Sequence, residues 1–94
     1  METETGRTYI NQTVSLDGTR FEGCSFHGCT LLFRGEEPVQ IVDCRLERVK
    51  WRFDGPARNT LKFLSAIYNG TGEGGRRTVE ATFDAIRKGE LPGG

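Results

Sequence analysis

The sequence predicts a β-rich α+β fold, a short β-helix of about two twenty-residue coils with a C-terminal helical pair as its cap. Three observations predict it. A large apolar residue returns every five positions at Leu16, Phe21, Phe26 and Leu31, and again in phase at Ile41, Leu46 and Trp51. A smaller ladder runs two residues ahead of it through Val14, Thr19, Cys24, Cys29, Val39, Cys44 and Val49. The chain also resembles itself at an offset of twenty, which pairs Phe21 with Ile41, Cys24 with Cys44, Phe26 with Leu46, Leu31 with Trp51, and Gly35 with Gly55.

Residues 1–6 are polar and read as a frayed end. Residues 7–14 hold Tyr9 and the β-branched Thr8, Ile10, Thr13 and Val14, which fits one leading strand. Three aligned units follow, Leu16 to Arg20, Phe21 to Ser25 and Phe26 to Thr30, each with its large apolar residue first, glycine third and a small residue fourth. A period of five suits neither a helix at 3.6 nor a flat strand at 2. It suits a short strand and a tight turn, repeated, with glycine taking the positive φ of the corner. The interruption at residues 34–38 uses one step and keeps the phase.

These units resemble those of the pentapeptide-repeat family. The resemblance covers residues 14–51 and departs from the family in lacking its usual Ala/Asp/Asn-Leu signature and in being short. It implies a right-handed, square-sectioned β-helix with four units per turn. In that family the central residue and the small residue two before it both point inward, which corresponds here to Phe21 with Thr19, Phe26 with Cys24, Leu31 with Cys29 and Leu46 with Cys44. Some members bind DNA topoisomerases by resembling duplex DNA; two coils and a neutral charge balance do not support that role here.

Two coils leave apolar rungs and unpaired backbone groups at their ends. The remaining chain supplies amphipathic helices. Over residues 57–69, Leu61, Leu64 and Tyr68 form a stripe with Phe63 and Ile67 beside it, Pro56 suits a first helical position, and Asn69-Gly70 is a stop. Residues 71–75 are glycine-rich enough to read as a loop. A second helix spans about residues 76–88, with Val79, Phe83 and Ile86 inward and Gly89 as its stop. The expected organisation is one domain over residues 1–94, with residues 7–55 as β-helix and 56–89 as cap.

The 94 residues are 35% apolar and 28% charged with 13 glycines, which places the chain among turn-rich globular proteins. It shows neither a membrane-spanning run nor the parts of a signal peptide, so a cytoplasmic protein is expected. The formal charge is zero, but residues 1–44 carry minus four and residues 45–94 plus four. Such a dipolar chain can associate with itself or show a basic face to an anion. It suits neither a nucleic-acid mimic nor a general DNA binder, and most aromatics are claimed by the ladder or the helix stripes rather than free to stack on bases.

Chemistry-bearing residues are few. Cys24, His27, Cys29 and Cys44 are the residue types of a zinc site, but the cysteines fall in the inward column while His27 falls on the outside, so core thiols are expected and no metal. Buried thiols lack the base and the exposure a nucleophile needs, and no Ser-His-Asp set or apolar carboxylate pair is present, so no catalytic residue and no cofactor are expected. Gly74, Gly75, Arg76 and Arg77 form a glycine loop leading into a helix N-terminus, the residue types that hold a phosphate-bearing small molecule. Arg45, Arg48, Lys50 and Arg52 make a basic surface spread over neighbouring faces.

The expected function is a non-catalytic protein-interaction module that self-associates, as a homodimer or larger, and binds or inhibits another cytoplasmic protein. The alternative is a small protein that binds or sequesters an anionic ligand, a nucleotide or phosphate. Compact proteins of phages or mobile elements often inhibit or sequester, and that analogy extends to either reading.

Overall fold

The computed structural model describes residues 1–90, and these fall into two compact units, Met1–Asn59 and the described residues from Thr60 onward. The first unit is built from nine short strands: β1 Glu2–Thr5, β2 Thr8–Ile10, β3 Thr13–Ser15, β4 Thr19–Glu22, β5 Ser25–His27, β6 Thr30–Phe33, β7 Gln40–Val42, β8 Arg45–Glu47 and β9 Lys50–Phe53. They stack into three parallel sheets ordered β1-β4-β7, β2-β5-β8 and β3-β6-β9. The result is a β-helix-like wall of three tiers, each with three strand-bearing sides and an irregular fourth.

The third tier lies under the second at the expected offset of twenty, with Phe21 paired to Ile41, Phe26 to Leu46, Leu31 to Trp51 and Phe33 to Phe53. The first tier corrects the sequence reading in two places. Residues 1–6 are not frayed, since β1 pairs with β4 through Glu2 to Thr19 and Glu4 to Phe21. Residues 7–14 are not one strand either, because the chain turns at Asn11, where φ is 48°, to give β2 and β3. The chain therefore forms three tiers rather than about two. Tiers one and two are offset by 17 residues, as in Tyr9 with Phe26 and Val14 with Leu31. Val14 thus heads the large column instead of the small one. Leu16 is buried as expected, at 2% exposure, but on the fourth side, where its N–H donates to the Leu32 carbonyl at 2.9 Å.

The difference between 17 and 20 residues resides in the bulging loop of residues 34–39. Its backbone is held by Asp17, whose carboxylate accepts from the N–H groups of Arg34 at 2.7 Å, Glu36 at 2.8 Å and Glu37 at 3.3 Å. Corners between strands take positive φ: Gly23 and Gly28 do so in the second tier, but Asp43 and Arg48, both at 50°, do so in the third. A non-glycine residue there is strained by about 1–2 kcal/mol.

The core is the second tier. Phe21, Phe26, Leu31, Cys24 and Cys29 are all at most 2% exposed. Tyr9 stacks on Phe26 with ring centroids 5.0 Å apart, and Phe21 meets Phe26 edge-on at 5.4 Å, a geometry worth about 0.5–1.5 kcal/mol per pair beyond area burial. The inward thiols reach the carbonyl of the large residue in the tier before: Cys24 to Glu4, Cys29 to Tyr9 and Cys44 to Phe21, each at 3.4 Å. Each thiol thus has an acceptor, and the small column is threaded to its neighbour.

Two helices follow, α1 Gly55–Gly70 and α2 Gly72–Lys88. The opening turn of α1 belongs to the first unit, where the Ala57 N–H donates to the Arg34 carbonyl at 2.9 Å. The glycine-rich stretch read as a loop is instead the opening turn of α2, and Thr71 alone separates the helices. Its reason is packing: a methyl group on Gly75, which is buried, would run into the Ile67 carbonyl and the Thr71 hydroxyl. Gly75 is where the two helix backbones touch. Gly89, at φ 75°, ends α2 as expected, its N–H bonded to the carbonyls of Ala85 and Ile86.

Candidate functional site

The columns that fill the second tier run out into the open in the third. Ile41, Leu46 and Trp51 stand in register with fully buried partners yet are 41%, 40% and 47% exposed. Beside them lies a shallow groove of about 300 Å³ walled by Leu16, Phe33, Val39, Ile41, Trp51 and Phe53, with the Trp51 and Phe53 rings stacked 6.3 Å apart. The opposite end of the coil is different. There the Arg7 guanidinium pairs with the Glu4 carboxylate, and Tyr9 lies over Phe26. Burial pushes the Tyr9 phenol above its ordinary pKa, Glu4 and Cys24 add to this, and Arg7 opposes it. One end is polar-rimmed and the other apolar.

A second apolar surface lies within the helical unit. Leu61, Leu64 and Tyr68 of α1 and Val79 and Phe83 of α2 line a groove of about 420 Å³, joined by Ser65, Asn69 and Glu80. Val79 is buried, but Phe83 and Ile86, expected to face inward, are about half exposed, as is Leu61, and Phe63 is more exposed still. Two helices alone offer each other too little surface to cover both stripes.

The residues expected to hold an anion fall within the opening turns of α2. Gly74 and Gly75 lie inside α2, with the Gly74 carbonyl accepting from the Thr78 hydroxyl at 3.0 Å. Arg76 sits 6.0 Å from the Tyr68 ring centroid, and Arg77 pairs with Glu73 at 3.5 Å. Successive helical residues point about 100° apart, so Arg76 and Arg77 leave α2 in different directions. The basic set is spread as expected: Arg45 opens β8, Lys50 opens β9, Arg48 occupies the corner between them, and Arg52 pairs with Asp54 at 3.3 Å. His27 faces outward and meets Glu47 of the next tier, Nδ1 to Oε2 at 3.1 Å. Among the described residues no three His, Cys, Asp or Glu side chains form a group able to hold a metal, and no helix is long and apolar enough to cross a membrane.

Comparison with protein-family models, curated proteins and solved structures gives no match. Function must therefore be read from the surfaces themselves. Two features escaped the sequence reading. The spacing of Glu4, Tyr9 and Val14 at five residues was a usable signal for the first tier, whereas nothing in the sequence marks Asp17 as the acceptor for a loop 17 to 20 residues away.

Proposed function

We propose that this chain is a non-catalytic interaction module of the pentapeptide-repeat kind, which self-associates and binds or inhibits another cytoplasmic protein. The coil in this reading is right-handed, the hand that parallel crossovers adopt. The observation that carries the proposal is the exposed third tier. Its rungs Ile41, Leu46 and Trp51 continue columns that are dry one tier away, and the free edges of β7, β8 and β9 offer unpaired backbone groups. An apolar surface framed by strand edges is the kind of surface that proteins cover with another chain. The alternative, capture of a phosphate-bearing small molecule, has less support because Arg76 and Arg77 are turned to Tyr68 and Glu73.

Light scattering coupled to size exclusion tests self-association. The expected result at micromolar concentration is a mass of at least twice the 10.5 kDa protomer. A monomer throughout the micromolar range defeats the proposal. Trp51 is the chain's one tryptophan, so a blue shift of its emission on adding a candidate partner would report cover of the third tier directly.

A further inference from the structure

We infer that the groove between α1 and α2 receives the same helix pair of a second copy, across a two-fold axis running along the groove, so that Lys62 of each copy faces Glu80 of the other. This rests on the self-association proposed above and assigns it to the helical unit, which leaves the exposed third tier for the other protein. Three observations carry it.

The first is the polar content of the groove. Asn69 donates through Nδ2 to the Ser65 carbonyl at 2.9 Å and to its hydroxyl at 3.4 Å, so the Asn69 amide already has its acceptors within α1. Its N–H donors can be covered without being orphaned. The second is the charge on the two rims. The charged side chains of α1 are both cations, Arg58 and Lys62, and neither is in an ion pair among the described residues. On α2, Glu73 pairs with Arg77, Asp84 with Arg87, and Arg76 lies over the Tyr68 ring, which leaves Glu80 as the acid of the groove without a counter-ion among the described residues. Lys62 follows Leu61 and Glu80 follows Val79, so each stands about 100° round its helix from a groove residue, on the outer rim.

The third is level. Gly75 lies against the Ile67 carbonyl, and Leu61 and Phe83 line the same groove further along, so the helices run antiparallel. Lys62 is five residues before Ile67 and Glu80 five after Gly75, which sets them at the same height on opposite rims. A two-fold axis along the groove keeps that height and lays α1 of one copy over α2 of the other. Lys62 then meets Glu80 twice, as an isologous contact requires. The four helices form an antiparallel bundle around Leu61, Tyr68, Val79 and Phe83. A second copy is the occupant whose complementary charge the chain itself supplies.

Charge reversal tests the inference. Lys62→Glu and Glu80→Lys should each weaken dimerisation roughly tenfold by placing like charges in two symmetric pairs, and the double variant should recover most of the loss. Both positions are exposed, so folding is retained, which circular dichroism checks. Phe83→Lys should abolish the dimer. A dimer unchanged in all four variants overturns the groove while leaving self-association standing. A monomeric wild type overturns both, and a wild-type monomer that instead co-sediments with anionic phospholipid vesicles assigns the groove to a membrane surface and overturns the second copy as its occupant.

Discussion

Asp17 shows how one side chain can hold a tier together. Burial alone raises its pKa, but the backbone N–H donors of Arg34, Glu36 and Glu37 outweigh that and hold the carboxyl below its ordinary range. A folded pKa below the unfolded one means that the carboxylate stabilises the fold fully above the ordinary carboxylate range, and that this contribution is lost as pH falls through the folded value. Asp17→Ala, which removes three charge-assisted bonds at a half-exposed site, should cost about 1–2 kcal/mol at neutral pH. Urea midpoints measured from neutral to acid pH should converge for the variant and the parent; a gap that persists at low pH would assign the effect to something other than the charge. Arg48 presents the opposite case, because it occupies a left-handed corner filled by Gly28 one tier above. Arg48→Gly should therefore stabilise by about 0.5–1 kcal/mol, the relief of strain less the backbone entropy of glycine. A lower melting temperature would refute this.

Among the elements, the tiers differ more in surroundings than in sequence. Phe26 and Leu46 share a column, but Phe26 is 0% exposed and Leu46 is 40%. Truncation should separate them: Phe26→Ala about 3–5 kcal/mol and Leu46→Ala about 1 kcal/mol, read as denaturant midpoints of the isolated chain. Equal losses would mean that the third tier is covered in solution. Gly75 sets helix propensity against packing. Alanine there is favoured in a helix by about 0.8–1 kcal/mol, but its methyl group meets the Ile67 carbonyl, so Gly75→Ala should lower rather than raise the melting temperature. The same contest explains why this stretch was not legible as helix. Local composition read residues 71–75 as loop, and only the approach of α1 makes glycine the residue the helix needs there. The second and third tiers were legible because Phe21, Phe26 and Leu31 and their partners twenty residues on are all apolar. The first tier hid behind a change of offset, and behind Glu4, a charged residue at an inward position whose partner Arg7 cannot be inferred from the five-residue rhythm.

For the whole molecule, the two ends of the coil have opposite character. The Glu4–Arg7 pair gives the first tier a polar rim, while the third tier ends in Ile41, Leu46 and Trp51. Repeat walls grow by adding like to like, and a polar rim at one end discourages head-to-tail polymerisation, since a second copy's apolar rungs would have to bury that ion pair. Association is thereby directed to contacts that close. The expected mass distribution is discrete, a dimer or another small closed assembly; a ladder of masses rising with concentration would contradict it.

The fourth side of the coil has a separate consequence. The first and second tiers differ there by three residues, yet the strands on the other sides keep their pairing, because Asp17 clasps the start of the extra segment and the Gly18 N–H donates to the Pro38 carbonyl at 3.0 Å at its far end. The bulge is thus tied at both feet and, through the Glu36 and Glu37 N–H groups on Asp17, along its crown as well. A foreign peptide grafted between Glu36 and Glu37 would prise two of those three anchors apart, so the longest connection of the wall is a brace and not a spare hook on which to hang cargo.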